Sequence, residues 1–174
     1  MSIADTAHAQ EAARTLLGKA GARSVPVPIE RIIKSRGIIL QYAPLADDLS
    51  GMAYIRDGVG IIGVNALHHP NRQRFTAAHE LAHHELHPEH IRNEVHVDKV
   101  FRVLWRDTMT SLGIDPKEIE ANAFAAELLM PRSFLEDLVD PRALDVDDDE
   151  KIESLARKFR VSPSAMRYRL GSWD

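Results

Sequence analysis

The stretch "RFTAAHELAHHELH", residues 74–87, holds four histidines and two glutamates in fourteen positions. It contains the pattern H-E-x-x-H at His79, Glu80 and His83. Residues four apart lie on the same face of a helix, so the two imidazoles can converge on one metal ion. Glu80 projects beside that face and can reach a water molecule on the ion, whose pKa zinc lowers to about 7. The pattern therefore predicts a metal-ligating helix with Glu80 as general base.

Length and composition predict an ordinary globular protein. The chain has 174 residues, of which 44% are hydrophobic and 28% charged, enough for one domain or a domain with a small appendage. The absence of cysteine excludes disulfides, a thiolate nucleophile and cysteine-ligated zinc. The first twenty residues contain no apolar run suited to a signal peptide or a membrane span, which favours a cytoplasmic protein. The net charge of −4 argues against broad coating of nucleic acid.

Hydrophobic spacing and turn residues predict an α+β chain. Helices are expected at 6–20 before Gly21, near 28–36 before Gly37, from about Asn71 through the quoted stretch, and between Pro116 and Pro131. Three strands are expected at 38–45, 50–57 and 59–66. The last two are joined by Asp57-Gly58, a dipeptide favoured in tight hairpin turns. We therefore expect a mainly helical domain with a small, three-stranded antiparallel sheet.

The charge pattern changes near the C-terminus. Residues 136–150 hold eight acidic residues and one arginine, whereas 151–170 hold six basic residues and one acid. The acidic stretch is typical of a solvated connector, and the basic tail predicts two short helices in a helix-turn-helix-like pair. We expect three segments: a catalytic domain at 1–135, a connector at 136–150 and a helical pair at 151–174. The bases of the tail could contact phosphates, although a helical cap on the domain is the favoured interpretation. The five candidates for phosphate contact are Arg157, Lys158, Arg160, Arg167 and Arg169.

A catalytic zinc site needs a third protein ligand. His84 is about 100° from His83 around the helix, and His87 is about 12 Å from His79 along it, so neither fits. For the remaining histidines, His68, His69 and His96, solvated or capping roles are favoured. The carboxylates of "EIEANAFAAELLMP" are better placed, because its small apolar face could approach Ala78 and Ala82 closely. Spacing leaves Glu118, Glu120 and Glu127 as alternatives, although Glu118 also suits a helix N-terminus.

"RFTAAHELAHHELH" followed by "EIEANAFAAELLMP" resembles the ImmA/IrrE family of zinc metallo-endopeptidases. Its members share R-F-T-x-A-H-E-x-x-H-x-x-L-H and, downstream, E-A-N-x-F-A-A-x-L-L-M-P. The resemblance runs from the predicted hairpin through Pro131 and more loosely to the C-terminus. It implies that His79, His83 and Glu120 ligate zinc and that Glu80 is the catalytic base. It also implies a zincin-like domain of the glutamate-ligated (gluzincin) type. Ala82 stands where glycine is common.

The resemblance further implies a substrate, namely a helix-turn-helix repressor of the XRE type whose cleavage relieves repression. An exposed edge of the predicted sheet could receive such a peptide by strand addition. Manganese is the alternative ion, and no membrane partner is expected. Two alternatives to the peptidase are a non-enzymatic, metal-dependent regulator that binds DNA or sequesters a repressor, and a toxin–antitoxin component. For the residue that stabilises the oxyanion the candidates are Tyr42, Tyr54, Arg74 and Tyr168.

Overall fold

The computed structural model describes residues 3–99, 113–140, 143 and 145–172. Within these ranges the helices in chain order are α1 (Thr6–Ala20), α2 (Ile29–Ser35), α3 (Pro70–Leu86), α4 (Pro88–Asn93), α5 (Pro116–Leu129), α6 (Arg132–Glu136), α7 (Asp149–Phe159) and α8 (Pro163–Gly171). The strands are β1 (Ile39–Ala43), β2 (Leu49–Arg56), β3 (Val59–Asn65) and β4 (His96–Lys99). The predicted α+β class is confirmed. No described helix is both long and apolar enough to cross a membrane.

The predicted helices begin and end at residues that the sequence marks. Gly21 adopts the left-handed conformation at the end of α1, with φ of 63°, where glycine costs least. Asp115 caps α5 by accepting a hydrogen bond from the amide of Lys117, and Pro116 occupies its first turn. These end signals fix the length of α5, but they leave open which of its faces meets α3.

The sheet differs from the three antiparallel strands expected. It has four strands in the order β1-β3-β2-β4 and is mixed, because β1 pairs with β3 in parallel. The predicted hairpin is confirmed: β2 and β3 are antiparallel, and both Asp57 and Gly58 have positive φ. The direction of β1 was wrong because alternation of apolar residues carries no information on strand polarity. Strand β4 was missed because it has four residues and forms only through long-range pairing with β2.

The hydrophobic core joins the sheet, α1, α3, α5 and the last two helices. Helix α3 contacts β2, β3 and α5. Small residues allow the close approach of α3 to α5: Ala78 and Ala82 on one helix and Ala121 and Ala125 on the other are fully buried. The buried apolar residues of the tail lie in the same core cluster: Leu155, Ala156, Phe159, Val161, Ala165, Met166 and Leu170. The core therefore holds α3 and α5 side by side beneath the sheet.

Candidate metal centre

Helix α3 carries the H-E-x-x-H residues in its most deeply buried part. His69 caps this helix by accepting from the amide of Asn71, so its predicted capping role is confirmed. His79, Glu80 and His83 are each at most 1% exposed, an uncommon environment for three ionisable groups. Buried polar groups require partners, so the surroundings of these side chains decide their chemistry.

The two imidazoles converge with a carboxylate from α5. The Nε2 atoms of His79 and His83 are 3.3 Å apart. Glu118 places Oε2 3.2 Å from Nε2 of His79 and Oε1 3.4 Å from Nε2 of His83. His96 on β4 joins them: one donor atom from each of the four residues lies within 4.8 Å of those of the other three. Two histidines and a glutamate are a usual ligand set of catalytic zinc.

Glu120, which the family resemblance implies as a ligand, is not brought to this group. Its Oε2 lies 2.8 Å from Nε2 of His87, and its Oε1 accepts from the amide of Asp5 at 2.8 Å. Residues two apart on a helix point about 200° apart, so Glu118 and Glu120 cannot both face the histidine pair. The structure thus places Glu118, and not Glu120, in the group. Glu118 also lies in the first turn of α5, where a carboxylate interacts favourably with the helix dipole. Because the helix dipole alone explains a glutamate at this position, the sequence did not single out Glu118 as a ligand.

Glu120 instead belongs to a chain of hydrogen bonds that ends on His83. Because the carboxylate of Glu120 accepts from Nε2–H of His87, the Nδ1 atom of His87 is left as an acceptor. That atom lies 3.2 Å from Nδ1 of His83, which therefore donates to it and keeps its Nε2 lone pair directed at the group. On the other imidazole, Nδ1 of His79 donates to Oδ1 of Asn122 at 3.0 Å. Both histidines thus present Nε2 for metal binding, oriented by outer partners.

Glu80 lies against the sheet beside these ligands. Its carboxylate packs below Gly51 of β2, where an added Cβ would lie 3.1 Å from Oε1. Both of its oxygens are buried without a hydrogen-bond partner among the described residues. Burial raises the pKa of Glu80 well above its usual value; His79 opposes this shift, and Asp98 and Glu118 add to it. Asp98 forms a second, overlapping group with His79 and Glu80.

The charges around the group fit a bound cation. Burial alone would lower the pKa of His79, but its hydrogen bond to the carboxylate of Glu118 and the charges of Asp98 and Glu80 raise it to about 10. The pKa of His83 is lowered, first by burial and then by the neighbouring imidazoles. The carboxylates of Glu80, Asp98 and Glu118 therefore favour a positive charge among them. One proton on His79 would balance only part of their negative charge. The unpartnered Nε2 of His96 and the unpartnered oxygens of Glu80 point to the same conclusion.

Several candidates from the sequence have other partners. Nε2 of His84 lies 3.1 Å from the carbonyl oxygen of Ile61 in β3, as its different direction on the helix predicts. Glu85 pairs with Arg36 at 2.7 Å. Two of the oxyanion candidates are also engaged: Tyr42 donates to Glu30 at 2.8 Å, and Arg74 donates to the carbonyl of Val27 at 2.8 Å. Sequence spacing missed His96, because its approach depends on the pairing of β4 with β2.

The last helix, α8, is joined to α5 by a buried ion pair. Arg169 is buried, donating to the carbonyl of Met130 at 3.0 Å and to Glu127, so Glu127 is committed to an ion pair. Arg167 donates to the carbonyl of Val146 and pairs with Asp149. Of the five candidates for phosphate contact, the exposed ones are Arg157, Lys158 and Arg160.

A helix-borne H-E-x-x-H pattern, completed by a glutamate from a second helix, defines a site of the metallopeptidase class. The chain belongs to the Peptidase_M78 family, described as IrrE N-terminal-like domain, whose profile matches residues 33–171. The resemblance to the ImmA/IrrE family is thereby confirmed, and membership points to a metallopeptidase or an IrrE-like regulator.

Among solved structures, a Mycobacterium tuberculosis transcriptional regulator has a similar fold, with a TM-score of 0.61 at 19% sequence identity. The match covers 93% of this chain and 46% of that one, so the present chain corresponds to about half of the regulator. No curated protein matches the sequence significantly.

Proposed function

We propose that the protein is a zinc-dependent endopeptidase that hydrolyses a peptide bond in an XRE-type helix-turn-helix repressor and so relieves repression. We assign His79, His83 and Glu118 as ligands and Glu80 as the general base. The observation that carries this proposal is the convergence of the Nε2 atoms of the two histidines with the carboxylate of Glu118 beside the unpartnered carboxylate of Glu80.

The two histidines and Glu118 would hold the ion, with manganese as the alternative to zinc. When bound, such an ion acidifies water and polarises a carbonyl group. Glu80 would take a proton from the attacking water as the water oxygen bonds to the carbonyl carbon. It would then give that proton to the departing amide nitrogen as the C–N bond breaks. Burial raises the pKa of Glu80, which makes it a stronger proton acceptor than an ordinary carboxylate.

The surrounding residues would keep this geometry. Asn122 and His87 hold the two imidazoles in the tautomers that present Nε2. Glu120 acts one step further out, through His87, and is a positioning residue in this scheme. Burial of α3 against β2 and α5 limits water around Glu80, which strengthens its interaction with nearby charges.

The assignment of the substrate rests on the family resemblance of the two motifs. The test uses a purified helix-turn-helix repressor of the XRE type as substrate. We expect the zinc-loaded protein to cleave it, chelation to stop cleavage, and Glu80→Gln to lower the rate by about 10²–10⁴-fold. Glu85→Gln is the matched control, because it lies on the same helix but pairs with Arg36. Equal disappearance of intact repressor with wild type and Glu80→Gln would refute the proposal.

A second candidate, the non-enzymatic metal-dependent regulator, is favoured by one observation. His96 provides a fourth protein donor, and a fully ligated ion is typical of structural sites. A site of this kind would also suit a toxin–antitoxin component. The two functions differ in their response to substitution: a regulator keeps its activity in Glu80→Gln but loses it in His79→Ala. Direct binding to DNA is less favoured, because Arg169 is buried and Arg167 is paired.

A further inference from the structure

Strand β4 brings a fourth donor to the metal centre and covers the sheet edge beside it. We propose that His96 is a metal ligand in the resting protein and that β4 thereby closes the site, so that a peptide substrate must displace β4 to reach the ion. The closure of the site by β4 rests on the proposed function, whereas the assignment of His96 as a ligand rests on geometry alone.

The environment of His96 is that of a ligand. Its ring centroid is 3.9 Å from that of His83. Its Nε2 atom lies 3.6 Å from Oε1 of Glu118 and 4.0 Å from Oε2 of Glu80. The side chain is 11% exposed, and this nitrogen has no hydrogen-bond partner among the described residues. A buried ring nitrogen that has no hydrogen-bond partner and lies near an imidazole and two carboxylates is costly unless a cation or a proton lies among them.

The backbone of β4 explains how His96 is placed. The strand is antiparallel to β2, with His96 opposite Ala53 and Asp98 opposite Gly51. Alternate residues of a strand share a face, so both side chains point towards α3, and Asp98 is buried there. Val97 faces outward and is 41% exposed. The strand thus has an inner face committed to the site and an outer face with little burial.

The same pairing occupies the position at which an extended substrate would bind. Among the described strands, β1 and β4 form the two edges of the sheet, and β2 runs beside Glu80 through Gly51. A peptide that paired with β2 would align its backbone with the metal centre, but β4 already pairs with this edge of β2. The four-residue strand β4 is only weakly bound to β2, because short edge strands bury little surface and separate locally at a low cost in free energy.

Coordination number provides the mechanism of closure. Tetrahedral zinc with four protein ligands leaves no position for water, whereas catalytic sites keep three protein ligands and an open position. His79, His83, Glu118 and His96 would fill all four positions. Departure of His96 with β4 would open one position and the edge of β2 together, which couples arrival of the peptide to activation.

The experiment compares wild type, His96→Ala and His96→Gln as full-length chains. His90→Ala is the matched control, since its ring centroid is 6.1 Å from that of His96 but it lies outside the ligand group. Cobalt substitution reports coordination through the visible spectrum, and competition with a chromophoric chelator gives the zinc affinity. We expect both His96 variants to change the cobalt spectrum and to weaken zinc binding by about tenfold or more. His90→Ala should match wild type.

Cleavage of the repressor by the same samples tests closure. We expect His96→Ala to cleave faster per bound zinc than wild type, because the open position no longer depends on displacement of β4. A cobalt spectrum and zinc affinity equal to wild type in both His96 variants would overturn the ligand assignment. If the spectrum changes while no sample cleaves the repressor, the ligand assignment is supported and the proposed peptidase function fails.

Discussion

Glu118 and Glu120 give the sharpest contrast in the site, because they are two residues apart and differ in role. Glu118 contacts both histidines directly, at 3.2 and 3.4 Å. Glu120 reaches only His83, and does so through His87. We therefore expect Glu118→Gln to remove a charged ligand, and Glu120→Gln to weaken one outer hydrogen bond.

The size of each effect on zinc affinity follows from whether the glutamate contacts the histidines directly or through His87. Loss of an outer partner of a ligating histidine costs about 10–100-fold in metal affinity, which sets the expectation for Glu120→Gln. Loss of a direct carboxylate ligand should exceed that range, so Glu118→Gln should weaken zinc binding by more than about 100-fold. At about 1.4 kcal/mol per tenfold change, this is a loss of more than about 2.8 kcal/mol in binding free energy.

The assay is competition for zinc with a chromophoric chelator at fixed pH. Thermal unfolding of the metal-free variants serves as the control for folding, since the glutamine side chain has nearly the same shape as glutamate. A loss of affinity in Glu120→Gln equal to or greater than that in Glu118→Gln would refute the placement of Glu118 in the group. It would instead support the ligand set implied by family resemblance.

Other predictions concern stability and pH. Gly51→Ala should destabilise the protein by about 1–3 kcal/mol in urea unfolding, because the added Cβ would lie 2.5 Å from Cγ2 of Thr76. Gly18→Ala, with nothing within 4 Å, should leave stability unchanged or raise it. Arg169→Met should cost up to about 3–5 kcal/mol, because the buried Glu127 would keep only the longer ion pair with Arg14, at 3.7 Å, among the described ion pairs; a loss below about 1 kcal/mol would contradict this account. Because the pKa of His79 is raised to about 10, zinc must displace a proton from this imidazole. Zinc affinity should therefore rise about tenfold per pH unit between about pH 6 and 8. A zinc affinity independent of pH would contradict the presence of that proton.

Much of the scaffold follows from local signals in the sequence. The ends of α1 and α5 are marked by Gly21 and Pro116, and the β2–β3 turn by Asp57-Gly58. The H-E-x-x-H spacing also places His79 and His83 on one helix face, because that geometry is internal to one helix. Each of these features depends on residues a few positions apart, which is why sequence reasoning reaches them.

The differences between the expectations and the structure arise where distant segments meet. Choosing between Glu118 and Glu120 requires the rotation of α5 about its own axis relative to α3, and both faces of α5 carry small or buried residues. The parallel pairing of β1 and the existence of β4 depend on the arrangement of the whole sheet. His96 enters the site only because β4 pairs with β2. A strand of four residues has no periodicity from which this pairing could be predicted.

Zinc-edge anomalous diffraction from crystals of the zinc-loaded protein tests the central claim most directly. The predicted result is one strong peak at about 2.0–2.2 Å from Nε2 of His79, Nε2 of His83 and a carboxylate oxygen of Glu118. Zinc bound instead between Glu120 and His87, or no peak beside the histidines of α3, would contradict the account.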